Sequence, residues 1–241
     1  MARRLALVTG ASAGIGEAFA RLLAAEGCDV ALTARRADRL SALSAELAAR
    51  HGVEAPTVAA DLADPAAPAA ILAALDRPVD VLINNAGYGL NGAFSQTSWA
   101  DQAAFIQVMM TAPSELAHRV LPGMRARGWG RIVNVASLAG MLPGTGGHTL
   151  YGATKAYMIR FSEALHIENQ GACVHASALC PGLTWSEFHD VNGTRETTRN
   201  STPDWLWMGA DEVAEPGQSS QPCVPCAGHR PSLHRGPPGT V

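Results

Sequence analysis

The stretch Thr9-Gly10-Ala11-Ser12-Ala13-Gly14-Ile15-Gly16 lies where the sequence changes from a strand pattern to a helix pattern, and it decides the fold. The apolar run Leu5–Val8 before it is typical of a buried parallel strand. The segment Ile15–Ala25 after it carries apolar residues at helical spacing and stops at Gly27. Glycines in such a turn let the backbone approach a ligand, and the helix start offers free N–H groups and a positive dipole end. The turn therefore predicts a site for the pyrophosphate of a dinucleotide.

The same alternation of strand and helix patterns continues along the chain. Short apolar runs predict further strands at Val30–Thr33, Val79–Ile83, Ile132–Val135 and Val174–Leu179. Longer stretches with helical periodicity lie between them, at Asp38–Arg50, Trp99–Arg127 and Leu150–Gln170. Alternation of this kind predicts a Rossmann-type α/β fold, with a doubly wound parallel sheet and helices on both faces, in a single domain.

Composition and charge exclude several classes of protein. Eighteen basic residues against 21 acidic ones leave a net charge of −3, so no basic excess exists to bind a nucleic acid. No apolar run approaches the roughly 18 residues of a membrane span, and the first apolar stretch is too short for a signal peptide. Five cysteines, an odd count, favour reduced thiols. These features predict a cytoplasmic protein with neither membrane nor nucleic acid as partner.

The composition changes sharply near Pro216. The 26 residues from Pro216 to Val241 contain six of the 15 prolines and show almost no apolar periodicity. This change predicts a domain over residues 1–213 and a proline- and glycine-rich tail over residues 214–241, with no helix or strand from Pro216 onward. Two interpretations of the tail stay open: an ordinary disordered extension, or sequence produced by a shifted reading frame in GC-rich DNA.

A cluster of metal-ligating residue types also lies in this tail. Cys223 and Cys226 form a C-x-x-C pair, followed by His229 and His234. Such a set can close a zinc tetrahedron, but the spacing matches no zinc module and the surroundings are rich in proline. We therefore predict no metal site.

Three further motifs follow the glycine turn in order. Asp61-Leu62 ends a third strand, Asn84-Asn85-Ala86-Gly87 ends a fourth, and Tyr151-Gly-Ala-Thr-Lys155 opens a helix after Ser137. Together these residues resemble the short-chain dehydrogenase/reductase family, in its branch of about 250 residues with Thr-Gly-x-x-x-Gly-x-Gly, Asn-Asn-Ala-Gly and Tyr-x-x-x-Lys motifs. The resemblance runs from about Leu5 to about Val213. It implies an enzyme that transfers a hydride between a nicotinamide cofactor and a carbonyl or secondary alcohol substrate.

The predicted catalytic residues are Ser137, Tyr151 and Lys155. Tyr151 and Lys155 are four residues apart and share one helix face, so the ammonium is expected to lower the phenol pKa. The resemblance implies that Tyr151 is the general acid in reduction and the base in oxidation. It also implies that Lys155 holds the nicotinamide ribose and that Ser137 hydrogen-bonds the substrate oxygen. The alternatives are a surface phenol, a solvated charge and a turn residue, which the upstream motifs disfavour.

The resemblance also assigns residues to the cofactor. Three glycines shape the pyrophosphate turn, Asp61 bonds the adenine amino group, and the Cys180-Pro181-Gly182 stretch with Ser186 lines the nicotinamide. The complete predicted set is Gly10, Ser12, Gly14, Ile15, Gly16, Arg35, Asp61, Leu62, Asn84, Ala86, Gly87, Tyr151, Lys155, Pro181, Gly182 and Ser186.

The end of the second strand predicts the choice of cofactor. Relatives that prefer NAD place an acidic residue there, whereas this chain has Thr33-Ala34-Arg35-Arg36. Arg35 can clamp a 2′-phosphate through two charge-assisted bonds, and Ser12 can add a hydroxyl. The alternative is a solvated arginine pair at a helix start. We predict NADP(H) as the preferred cofactor over NAD(H).

One member of the family pattern is missing. The family has an asparagine 28 residues before the serine, thought to hold a water that relays protons to the lysine, and here that position is Met109. Met109 either packs in the core or marks a modified proton path. A rival function is therefore a dinucleotide-binding protein with little or no catalysis. A third, a sugar-nucleotide epimerase of the longer related family, is disfavoured by the glycine spacing.

Large apolar residues are concentrated where relatives form the substrate lid. They are Trp185, Phe188, Trp205, Leu206, Trp207 and Met208. These side chains predict an apolar substrate, although packing of the lid on the core explains them nearly as well. The family also implies a homo-oligomer, an expectation that the altered tail weakens.

Overall fold

The computed structural model describes residues 3–188 and 202–218 of the chain. Eight strands occur in the described part: β1 Leu5–Thr9, β2 Asp29–Ala34, β3 Thr57–Ala59, β4 Val81–Asn84, β5 Gly130–Val135, β6 Val174–Leu179, β7 Leu183–Trp185 and β8 Trp207–Gly209. The α-helices there are α1 Gly14–Ala25, α2 Ala37–His51, α3 Ala67–Ala73, α4 Trp99–Ile106, α5 Ala112–Arg127, α6 Thr149–Asn169 and α7 Ala210–Gln218.

Six strands form one parallel sheet in the order β3-β2-β1-β4-β5-β6. The chain builds outward from β1 in one direction and then restarts beside it with β4, so the strand order reverses between these two strands. A crevice forms at the carboxyl ends of the strands at such a switch point. The predicted doubly wound α/β fold is confirmed.

Both faces of the sheet are covered, so the central strands β1, β2 and β4 are almost entirely buried. In β1, Ala6 and Val8 pack under α1 and α2, whereas Leu5 and Leu7 pack on the opposite face under α3 and α5. All four residues are at most 1% exposed. A strand buried on both faces is a continuous apolar run, which is the pattern from which β1 was predicted.

The predicted helix over Trp99–Arg127 is interrupted. One π-helical turn, Gln107–Thr111, separates α4 from α5. A π turn widens the helix by one residue and commonly lies beside a functional site. Met109 lies within this turn.

The end of the predicted domain falls inside α7. Ala214, the first residue assigned to the tail, is 1% exposed and belongs to the core under α1. The expectation of no helix from Pro216 onward is wrong at its start, because α7 continues to Gln218. Packing of the first turns against the core outweighs the local preference of proline and glycine. Both interpretations of the tail, and Cys223, Cys226, His229 and His234, fall on residues outside the described part.

Two other expectations concern cysteines and membranes. Cys28 and Cys180 are free thiols, as expected, but Cys173 is disulfide-bonded, so the prediction of five reduced thiols is wrong. Within residues 3–188 and 202–218, none of the helices combines the length and hydropathy that crossing a membrane requires.

Candidate active site

The turn between β1 and α1 has a backbone that only glycine accommodates. Gly10 has φ +67°, and an added Cβ would lie 2.9 Å from the Ala86 Cα. Gly14 has φ +58°, and an added Cβ would lie 3.0 Å from the Ser186 Cβ. The residue that caps α1, Ala13, contributes no side-chain hydrogen bond to the first turn. An open helix N-terminus in a glycine cradle fits a pyrophosphate.

Thr9 and Asn85 join this turn to the segment after β4. The Thr9 hydroxyl accepts hydrogen bonds from the backbone N–H groups of Asn85 and Ala86, at 2.9 and 3.0 Å. The Asn85 amide donates back to the carbonyls of Thr9 and Gly10, at 3.0 and 3.3 Å. The prediction included neither Thr9 nor Asn85, because their role depends on β1 and β4 being neighbours.

A cleft of about 600 Å³ opens along the carboxyl ends of the strands. Of the predicted cofactor residues, it is lined by Gly10, Ser12, Gly14, Ile15, Arg35, Asp61, Leu62, Ala86, Gly87 and Ser186. Gly16 lies beneath the turn, where an added Cβ would be 2.4 Å from the Gly10 carbonyl oxygen. Pro181 and Gly182 lie beside the catalytic segment, since the Pro181 carbonyl accepts from the Leu138 N–H at 2.9 Å.

Asn84 lies in the core beside a smaller cavity. Its amide donates to the Pro113 carbonyl at 3.2 Å and to Asn134 Oδ1 at 2.9 Å. Its Oδ1 is buried and has no hydrogen-bond partner among residues 3–188 and 202–218. Asn84 borders a cavity of about 10 Å³, which is lined also by Leu62, Ala86, Met109 and Lys155. The Asn84 side chain thus stabilises the β4–β5 region. It does not line the large cleft, where the prediction had placed it.

Ser137, Tyr151 and Lys155 come together through the contact between the end of β5 and α6. Ser137 follows β5, and its hydroxyl accepts from the Ala139 N–H at 3.2 Å. An added Cβ at Gly140 would lie 2.6 Å from the Lys155 carbonyl carbon, so this serine-containing turn approaches α6 closely. The Ser137 hydroxyl interacts with the Tyr151 phenol. Spacing along α6 places Tyr151 and Lys155 on the same face, as predicted.

The expected electrostatic effect of Lys155 on Tyr151 is not found. Burial raises the pKa of Tyr151 above its usual value, and the Ser137 hydroxyl only partly lowers it. The Lys155 Nζ lies 5.7 Å from the centre of the phenol ring and donates to the Val135 carbonyl at 2.7 Å. Burial lowers the pKa of Lys155 to about 8. The prediction was wrong because spacing on a helix does not reveal the loss of hydration.

The basic edge of the cleft contains one arginine more than predicted. Arg35 lines the cleft and is exposed. Arg36 lines it too, and its guanidinium donates to the Ser12 hydroxyl through Nε at 3.1 Å and Nη2 at 2.9 Å. The prediction placed Ser12 and Arg35 at a phosphate site, and the structure adds Arg36 beside Ser12. The paired arginines in the sequence were the available signal.

Met109 packs in the core, as one of its two interpretations expected. It is 4% exposed, and its Sδ would lie 3.0 Å from a Cβ added at Gly87. It also borders the small cavity next to Lys155. The thioether therefore occupies space between Gly87 and the region around Lys155.

Aromatic residues lie in the small sheet of β7 and β8 and in the segments next to it. The rings of Trp185 and Trp207 stack with their centres 4.4 Å apart, joining the small sheet of β7 and β8. Phe188 lies 5.7 Å from the Tyr151 ring, centre to centre. Trp205 is 80% exposed and Met208 40%. Packing within the lid thus accounts for Trp207, which is buried, but not for the two exposed residues.

The chain belongs to the short-chain dehydrogenase family, whose model matches residues 4–196. It is 36% identical over 215 residues to a serine 3-dehydrogenase of Agrobacterium fabrum, covering 86% of this chain and 84% of that one. It is 39% identical over 193 residues to the NADP-dependent 3-hydroxy acid dehydrogenase YdfG of Salmonella typhi, covering 78% and 75% of the two chains.

A solved structure shares the fold. The short-chain dehydrogenase from Sphingobium yanoikuyae in complex with NADPH superposes with a TM-score of 0.81 at 36% identity, over 88% of this chain and 81% of that one. The predicted family and the predicted class of enzyme, a short-chain dehydrogenase/reductase, are confirmed.

Proposed function

We propose that this protein is an NADP(H)-dependent oxidoreductase that interconverts an apolar carbonyl compound and its secondary alcohol. The observation that carries the proposal is a cleft lined by an open helix N-terminus, by two arginines and by Phe188, whose ring lies 5.7 Å from the Tyr151 ring. A dinucleotide has a phosphate-rich half and a reactive half, and this arrangement offers chemistry that matches both halves.

Each predicted catalytic residue has a role that its position supports. When bound, the nicotinamide supplies or accepts the hydride. In reduction the Tyr151 hydroxyl donates its proton to the substrate oxygen, and in oxidation the phenolate takes that proton back. Ser137, next to the phenol, donates a hydrogen bond to the same oxygen as negative charge develops on it. Lys155 holds the nicotinamide ribose and keeps a positive charge under the phenol below pH 8 or so.

The cofactor assignment rests on the basic edge. Ser12, Arg35 and Arg36 together offer a hydroxyl and two guanidinium groups at the end of β2, and no carboxylate follows the strand directly. Guanidinium groups bind phosphate through paired hydrogen bonds. The names of two relatives include NADPH and NADP, which supports this proposal. NAD(H) is expected to bind less tightly.

The substrate class rests on the exposed apolar side chains around the catalytic end. Leu138, Met141 and Leu142 follow Ser137 and are 46%, 65% and 66% exposed. Trp205 and Met208 are also exposed, and we propose that side chains of this set contact an apolar ketone or alcohol. Cytoplasmic location and homo-oligomeric assembly remain predictions.

A thermal melt of the purified chain with NADPH and with NADH tests the proposal first. A nucleotide at about 100 times its dissociation constant adds roughly 2.7 kcal/mol of stability. We expect a clear upward shift with NADPH, a smaller one with NADH, and turnover of apolar ketones. Binding of NADPH without turnover over a broad panel of ketones and alcohols would instead identify the rival function, a dinucleotide-binding protein. No response to either nucleotide would overturn both.

A further inference from the structure

Glu187 is bound to two arginines at the basic edge of the cleft. Its Oε2 accepts a hydrogen bond from Arg36 Nη1 at 2.7 Å, and its Oε1 accepts one from Arg39 Nη1 at 2.6 Å. The same Arg36 guanidinium also holds the Ser12 hydroxyl. One carboxylate thus bridges two guanidinium groups that lie 151 residues (Arg36) and 148 residues (Arg39) before it in the chain. Arg36 lies in the site proposed for a 2′-phosphate.

The neighbours of Glu187 tie the same segment to the rest of the cleft. Ser186 lies against Gly14 in the pyrophosphate turn, and Phe188 lies beside the Tyr151 ring. All three residues of the segment line the cleft. Glu187 therefore lies between a residue that contacts the pyrophosphate turn and a residue that contacts the Tyr151 ring.

A carboxylate and a phosphate monoester present the same chemistry to a guanidinium, namely paired anionic oxygens. Both arginines hold the pKa of Glu187 below its usual range, so the carboxylate stays ionised at neutral pH. An Arg36 that is paired with Glu187 has Nη1 occupied and Nη2 and Nε directed at Ser12. A bound 2′-phosphate would need some of these same donors.

We propose that Glu187 weakens the preference for NADP(H) over NAD(H) by competing with the 2′-phosphate of NADP(H) for Arg36. This inference rests on the proposed use of NADP(H). In the absence of a 2′-phosphate the carboxylate holds the segment Ser186–Phe188 against the basic edge. Binding of NADP(H) exchanges the carboxylate for the phosphate, whereas binding of NAD(H) leaves the ion pair intact. Glu187 thereby narrows the difference in affinity between the two cofactors.

Direct titration of the full-length chain with NADPH and with NADH, followed by calorimetry, tests the proposal. The variants are Glu187→Gln, Arg36→Ala and the double variant. We expect Glu187→Gln to lower the NADPH dissociation constant by roughly fivefold, the size of one exposed ion pair, and to change the NADH constant by less than about twofold. In the Arg36→Ala background the same change should have no effect on NADPH, because the contested guanidinium is gone.

Glu54→Gln is the matched control. It removes the same charge from an exposed glutamate that pairs with Arg77 at 3.4 Å, next to the start of β2 and away from the cleft. An unchanged or raised NADPH constant in Glu187→Gln would overturn the inference, as would a gain that persists without Arg36. Failure of the proposed function gives a different result: the wild-type chain would then bind neither nucleotide, or bind NADH as tightly as NADPH in every variant.

Discussion

The lysine beside Tyr151 and the arginines at the basic edge of the cleft differ in burial and in how their charges are paired. Lys155 is 6% exposed, and its ammonium donates to the Val135 carbonyl. Arg36 and Arg39 have side chains that are 40% and 44% exposed, and they share the Glu187 carboxylate. Burial lowers the pKa of Lys155 to about 8, whereas pairing with Glu187 raises the pKa of Arg39.

The difference separates two uses of a cation. A group that loses its charge near neutral pH is suited to proton chemistry, because both of its protonation states are accessible. A guanidinium that keeps its charge and stays hydrated is suited to bind and release an anion. The tests that follow examine this contrast, from the largest expected effect to the smallest.

Removing the Tyr151 hydroxyl should abolish most of the proton transfer. We expect Tyr151→Phe to lower kcat by about 10² to 10⁴, the contribution of a positioned general acid or base. NADPH affinity should change by less than about twofold, because the pyrophosphate turn and basic edge are unaltered. Steady-state rates and calorimetric titration measure the two quantities, and Tyr157→Phe is a matched control on the same helix. Turnover retained in Tyr151→Phe would refute the catalytic assignment.

Alcohol oxidation should depend steeply on pH. Oxidation requires the phenolate, and burial raises the pKa of Tyr151 above its usual value of 10. The fraction of phenolate therefore grows about tenfold per pH unit below that pKa, and kcat/KM for oxidation should rise accordingly from pH 6 to 9. Ser137→Ala should move the profile to higher pH, because the serine hydroxyl lowers the pKa. A plateau that begins near pH 7 would contradict this expectation.

Loss of Arg36 should affect one cofactor far more than the other. We expect Arg36→Ala to raise the NADPH dissociation constant by about tenfold, since charge-assisted bonds to phosphate contribute roughly 1.5 kcal/mol or more. NADH affinity should stay within about twofold. Arg160→Ala, which removes an exposed arginine paired with Glu163 on α6, serves as the control. Equal losses for both cofactors would show that Arg36 does not contact a 2′-phosphate.

Replacing the buried lysine should increase stability in a pH-dependent way. The Lys155 pKa of about 8 lies below its unfolded value of 10.5, so the unfolded state binds more protons between these pH values. The contribution of Lys155 to the free energy of unfolding of the wild-type chain therefore rises with pH from about 8 to 10.5. At pH 7 we expect Lys155→Met to be more stable than the wild type by about 2 kcal/mol, a value that already subtracts the lost hydrogen bond to the Val135 carbonyl. The difference should shrink above pH 8 or so. Denaturant unfolding at pH 7 and pH 10 measures both values, and a pH-independent difference would contradict the assigned pKa.

Met109→Leu should have the smallest effect. Leucine and methionine have similar volumes, so a core role predicts a loss of less than about 1.5 kcal/mol and little change in kcat. Denaturant unfolding measures the loss of stability, and steady-state rates measure kcat. A large fall in kcat with normal stability would show that the thioether takes part in the proton path near Lys155.

Local patterns in the sequence determined most of the fold. Apolar runs and helical periodicity are set by which faces are buried, so five of the six strands of the main sheet and their parallel arrangement follow from them. The sixth, β3, is three residues long and largely exposed, and no apolar run marks it. The shared face of Tyr151 and Lys155 follows from helix geometry alone. The glycine turn was predictable because positive φ and close backbone approach leave glycine as the residue that fits.

Tertiary structure alone decided the rest. Asn84 turns into the core because Asn134 lies beside it on β5, and no local pattern shows that pairing. The pKa of Tyr151 follows from burial among elements that are distant in sequence. Glu187 meets Arg36 across 151 residues of chain. Periodicity records which side of an element is buried, whereas hydration and charge pairing depend on which elements meet, and that is a property of the folded chain.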